Sequence, residues 1–99
     1  MDGDAGLKFE WDPAKDAANT QKHGITFDDA KTVFDDSQHI QEESTRSDLG
    51  ELRNLAIGRL GSVIVTVVYT DRQGGRRIIS ARRARRDERE RYRQSAETA

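Results

Sequence analysis

The sequence predicts an α+β domain, with helices packed on an antiparallel sheet in the order β-α-α-β-β-β-β-α. Three observations carry that prediction. The second half of the chain holds apolar runs separated by tight turns, and Val63 to Thr70 is β-branched almost throughout. Such runs joined by short turns form antiparallel strands. The first half instead carries helix signals, with Asp12-Pro13 ahead of Ala14 to Lys22 and an apolar stripe of Phe27, Ala30, Val33 and Phe34. Helices segregated from a meander of strands define α+β, and a chain of 99 residues is one domain's worth.

Each element follows in order. Leu7 to Trp11 alternates apolar and polar, the period of a half-buried strand. Asp12 is a helix N-cap with Pro13 at the first helical position, and Gly24 ends that helix. Thr26 caps a second helix, with Asp29 three residues on. His39 to Glu43 reads as a short edge strand, and Thr45 to Gly50 as a polar loop. Leu52 to Leu60 is a strand, and Gly61-Ser62 turns it into the central strand from Val63. Asp71 to Gly75 turns into a last strand at Arg76 to Arg82. Ala84 to Arg93 is helical, with charges alternating in sign. Residues 7–94 form the single domain, and residues 1–6 and 95–99 read as flexible termini.

Composition narrows the function. The chain has no cysteine, which excludes a disulfide framework, a thiolate metal site and a cysteine nucleophile. The acidic N-terminal stretch has no apolar segment, so no signal peptide is expected, and no run approaches a membrane span. The net charge of -1 conceals an asymmetry. Residues 1–50 carry 12 acids against 5 bases, whereas residues 51–99 carry 6 acids against 12 bases, all arginine. Halves of opposite charge either pair with each other or leave one face free for an anion. Arginine rather than lysine favours phosphate, because the guanidinium is a planar, permanently charged fork that also stacks on unpaired bases.

Several residues are candidates for chemistry. Lys22 and His23 close the first helix, where a cation suits the helix dipole and can also meet a phosphate. Glu51 and Arg53 are two apart in an expected strand and share a face, either as a surface ion pair or as an acceptor beside a phosphate clamp. In the last strand, alternation puts Ile78, Ser80 and Arg82 on one face and Arg77, Ile79 and Ala81 on the other. One of Arg77 and Arg82 must then aim at the helix layer, unless the strand ends or bulges. An arginine there needs an acidic partner or a substrate phosphate. Arg72 adds a cation in the preceding turn. Arg85, Glu88, Arg89 and Tyr92 fall on adjacent turns of the last helix, with the Tyr92 ring expected on the sheet and its hydroxyl at the rim. Arg83, Arg86, Arg91 and Arg93 are expected to form a solvated, salt-bridged face. No compact His/Asp cluster appears at ligand spacing, so no metal or cofactor is expected.

These residues also carry a resemblance. FEWDPAK at 9–15, NTQKHGITFDDA at 19–30, GELRNLAIG at 50–58, VVYTDR at 67–72 and RRIISARRARRDERERY at 76–92 together resemble the BrnT family of bacterial type II toxins, over residues 8–93. The resemblance implies a RelE-like fold and a metal-independent endoribonuclease that cleaves RNA and inhibits translation. It implies a BrnA-like antitoxin that forms a hetero-oligomer with the toxin and alone contacts operator DNA. It implies a cytoplasmic protein with no membrane partner. Carried over residue by residue, it implies catalytic roles among Lys22, His23, Glu51, Arg53, Arg77, Arg82 and Tyr92, and RNA binding by Arg72, Ser80 and Glu88. The chain's ending is richer in arginine than the lysine-containing endings of the family. Two other classes remain open: a nucleic-acid-binding module without catalysis, and a toxin-like interaction protein. Neither a helix-turn-helix nor a zinc-finger pattern supports the first.

Overall fold

The strand and helix signals assemble into a five-stranded sheet with helices on both faces. The computed structural model describes residues 8–44 and 52–98. Strand β1 (Lys8–Glu10) leads into helix α1 (Pro13–His23). A four-residue helix, α2 (Phe27–Ala30), then tightens into a 3-10 turn at Lys31–Asp35. Strands β2 (Ile40–Glu43), β3 (Asn54–Leu60), β4 (Val63–Arg72) and β5 (Gly75–Arg83) follow, and helix α3 (Arg86–Thr98) ends the described chain. The strands lie in the order β1-β5-β4-β3-β2, so β4 is central and β2 is an edge, as expected. Leu7, the Thr45 to Gly50 loop, Glu51 and residues 1–6 lie outside the described residues.

Three expectations are corrected. The sheet is mixed, because β1 pairs with β5 in parallel while β2 to β5 are antiparallel. Short turns force antiparallel neighbours only between consecutive strands. The α1–α2 crossover separates β1 from β2 and leaves the two on opposite edges. Secondly, the last helix begins at Arg86 rather than Ala84 and runs to Thr98, through part of the expected loose end at 95–99. Its start is set by Glu88, whose carboxylate accepts the Arg85 backbone N–H at 2.7 Å, the reciprocal half of a capping box. Thirdly, the strict alternation expected along β5 fails.

That failure is a β-bulge. Val68 pairs with Ser80 but Tyr69 pairs with Ile78, leaving Ile79 as the extra residue. The bulge turns Ile78 and Ala81 to one face, and Arg77, Ser80 and Arg82 to the other. Arg77 and Arg82 therefore lie on the same face, the one α3 covers in part.

Local capping follows the sequence signals. Asp12 Oδ1 accepts the Ala14 N–H at 2.9 Å, and Gly24 takes a φ of 72° and donates its N–H to the Thr20 carbonyl. Thr26 Oγ1 accepts the Asp29 N–H at 3.0 Å. Asp16 ties the two helices together by accepting the Phe27 N–H.

One face of the sheet packs against α2 and the 3-10 turn. Phe27, Ala30, Val33 and Phe34 meet Ala56, Val65, Val67, Tyr69, Ile78 and Ala81 there. Each large side chain buried in this way contributes about 1.5–3 kcal/mol. Arg76 enters the same core with its guanidinium over both the Phe34 and Tyr69 rings, at 4.8 and 4.6 Å, and its Nε on Asp71. The other face forms a smaller core of Ile57, Ala84 and Tyr92 under α3.

Two polar side chains finish the sheet where its edge strands stop short. β1 pairs only with residues 75–77 of β5, and beyond it Asn19 of α1 stands in for a strand. Its amide donates to the Ala81 and Ile25 carbonyls and accepts the Ala81 N–H. At the opposite edge β2 ends opposite Ile57, and Asp36 Oδ2 accepts the Arg59 N–H and the Tyr92 hydroxyl. Asp36 thus links the 3-10 layer on one face to α3 on the other.

Candidate functional site

The face that α3 leaves partly bare carries a groove of about 390 Å³. Its floor is Leu55, Val68, Ile79 and Ser80, from three adjacent strands. Its walls are Ser44, Arg53, Arg82, Arg85 and Glu88. Three guanidiniums thus face one carboxylate around an apolar floor with two hydroxyls.

Arg82 and Glu88 are the organised pair. Arg82 Nη1 and Nη2 bind Glu88 Oε1 and Oε2 at 2.8 and 3.0 Å, a two-pronged contact that fixes the plane of the guanidinium. Thr66, opposite Arg82 on β4, donates its hydroxyl to Glu88 Oε1 at 2.9 Å. With the Arg85 N–H, the buried carboxylate accepts four hydrogen bonds. Burial alone would push its pKa up, but the Arg82 guanidinium, the Arg85 N–H and the Thr66 hydroxyl outweigh burial and hold it at about 2. Glu88 is therefore a permanent anion at neutral pH, and its work is to hold Arg82.

The structure brings together Arg53, Ser80, Arg82 and Glu88 of the residues the sequence singled out. The others lie elsewhere. Arg77 shares the face of Arg82 but sits at the β1 edge, with Nη1 3.5 Å from Glu10 Oε2. Arg72 lines a separate hollow at the β4–β5 turn with Lys8 and Glu10. Lys22 and His23 close α1 and do not line the groove. Tyr92 packs its ring in the core as expected, at 2% exposed, but its hydroxyl is taken by Asp36 at 2.7 Å and does not reach the groove. Burial and the Asp36 carboxylate both raise the Tyr92 pKa. Glu51 lies outside the described residues. Arg91 is salt-bridged as expected, to Asp87 at 3.0 Å, and it also binds Glu42 of β2 at 2.8 and 3.1 Å, anchoring α3 to the sheet.

Sequence reasoning missed Ser44, Thr66 and Arg85 as parts of this site. Thr66 lies in the apolar β4 run, and its polarity on a covered strand was the available signal. Arg85 was legible as one turn before Arg89, but its place in the groove depends on where α3 begins. Among the described residues no group of three or more His, Cys, Asp or Glu stands close enough to hold a metal ion. No helix among them is long and apolar enough to cross a membrane.

The geometry is that of a small mixed sheet that presents a carboxylate-braced arginine in an arginine-lined groove. The comparison with protein families makes this specific. Residues 11–88 match the family described as the ribonuclease toxin, BrnT, of type II toxin-antitoxin systems, and the chain belongs to that family. It is thereby a ribonuclease toxin with an antitoxin as its partner. No curated protein matches the chain closely enough to add to this.

Proposed function

We propose that the groove is the RNA-cleaving site of a metal-independent endoribonuclease. The observation that carries this reading is the Arg82–Glu88 pair, held in a groove with Arg53 and Arg85. In the reaction the 2′-oxygen attacks phosphorus and the bond to the 5′-oxygen breaks. The products are a 2′,3′-cyclic phosphate and a 5′-hydroxyl. The phosphorane between them carries extra negative charge, and fixed guanidiniums aimed at it need no reorganisation. Arg82 is the fixed donor, with Arg53 and Arg85 beside it and the hydroxyls of Ser44 and Ser80 as further donors.

Proton transfer needs a separate group, since Glu88 stays ionised and fully hydrogen-bonded. Glu51, two residues before Arg53 in sequence, is assigned to accept the 2′-hydroxyl proton, and water in the open groove protonates the 5′-oxygen. Lys22, His23, Arg72 and Arg77 then serve RNA binding or folding rather than bond cleavage. In the cell this activity blocks translation in the cytoplasm, and a BrnA-like antitoxin silences it and carries the complex to operator DNA. A non-catalytic RNA-binding protein is the second reading, which the arginine-lined groove alone would also satisfy.

The test is cleavage of a defined RNA in EDTA with analysis of the ends. Cyclic phosphate termini from the purified chain, and their loss in Glu51→Gln, support the proposal. Binding without scission would leave the non-catalytic reading in its place.

A further inference from the structure

A second cationic concavity of about 280 Å³ lies where β5 passes into α3. It is lined by Arg83, Arg89 and Arg93, by the Ser62 backbone turn and by an apolar floor including Ile64 and Ala84. No carboxylate lines it. Arg89 is fixed by an Nη1 hydrogen bond to the Ala84 carbonyl at 2.8 Å, while Arg83 and Arg93 are exposed.

The two concavities share one short stretch of chain. Arg82 and Arg85 line the groove, whereas Arg83 and Ala84 line the second hollow. Consecutive β5 residues point to opposite sides. Arg82 and Arg85 therefore bring cations to the groove, and Arg83 between them brings one to the hollow. Guanidinium groups with no acid among them match the continuous negative charge of a nucleic-acid backbone.

We propose that this hollow is a second phosphate subsite, taking the RNA strand as it continues past the phosphate held in the groove. The strand turns around the β5–α3 junction, with its flanking phosphate on Arg83, Arg89 and Arg93. This inference rests on the groove holding RNA.

The test compares the chain with an Arg83→Gln/Arg93→Gln variant. The probe is a 2′-O-methyl RNA long enough to span both concavities, which binds but cannot be cut. Each lost phosphate contact lowers the slope of log K against log salt by about 0.7 for a single strand, so the variant, which loses the one flanking phosphate, should lose about 0.7. Cleavage of a dinucleotide, which reaches only the groove, should stay at the unmodified rate. An unchanged salt slope overturns the subsite. So does an unchanged slope with weakened antitoxin binding, which would make the hollow a protein-docking surface. A reduced slope in a chain that cuts no RNA would uphold the subsite and refute the cleavage reading instead.

Discussion

At the scale of single residues, Glu88 is a buried acid whose hydrogen bonds fix the Arg82 guanidinium. Its folded pKa of about 2 lies below the ordinary glutamate value of 4.5. A depressed carboxylate stabilises the fold above the unfolded pKa, and that contribution disappears as pH falls from about 4.5 towards 2. The size is on the order of 3 kcal/mol for a shift of this kind. Glu88→Gln should therefore be less stable than the unmodified chain at pH 7, with the two converging below pH 3 in denaturant titrations (~1.4 kcal/mol per pKa unit). Tyr92 makes a contrasting case. Its hydroxyl serves Asp36, so Tyr92→Phe should cost about 1 kcal/mol in stability and leave RNA cleavage at the unmodified rate. A large fall in the cleavage rate at unchanged stability would return Tyr92 to the site.

At the scale of elements, the sheet depends on side chains that replace missing strands. Asn19→Ala strips the side-chain partner from the Ala81 N–H and the Ala81 carbonyl and leaves the Ile25 carbonyl only the Thr20 hydroxyl at 3.4 Å. The loss should be about 2–3 kcal/mol, read as a fall in Tm of roughly 10 °C or more. Gly58 is held by space rather than by backbone freedom. A Cβ there would lie 2.9 Å from both the His39 Cβ and the Val33 Cγ1, so Gly58→Ala should destabilise by about 1–3 kcal/mol. Such devices mark the limit of what was legible. Apolar periodicity and caps located α1, β4 and the Phe27–Phe34 stripe, because those signals act over neighbouring residues. The parallel β1 pairing, the bulge at Ile79 and the Asn19 contacts each depend on residues far apart in the chain. The bulge in turn lets one strand serve both faces, with Ile78 and Ala81 in the larger core and Ile79, Ser80 and Arg82 on the groove. Alternation alone separates Arg77 from Arg82, and one extra residue puts both on the same face.

At the scale of the whole molecule, the charge asymmetry divides along the fold. The arginines of the second half supply both faces of the β5–α3 junction. Some are engaged within the protein, as Arg76 is over two rings and Arg91 is on Glu42, while Arg53, Arg82 and Arg85 line the groove. Candidate residues were legible by type in the sequence, but their sorting into groove, core and edge was not. Lys22 and His23 lie within the family match and Tyr92 beyond it, and none of the three lines the groove. The central claim is that Arg82, braced by Glu88, stabilises the phosphorane. Arg82→Ala alone is a poor probe, since it strands a buried carboxylate and destabilises the fold by about 3–5 kcal/mol.

The most direct measurement compares Glu88→Gln with the double variant Arg82→Met/Glu88→Gln in single-turnover RNA cleavage, with Tm recorded for both. Glutamine retains an acceptor for Thr66 and the Arg85 N–H, and methionine fills the volume of the arginine stem. The account predicts similar melting, with cleavage in the double variant a further 100- to 1000-fold slower, roughly the cost of removing one preorganised donor. Equal cleavage rates in the two variants would contradict it and move the chemistry away from Arg82.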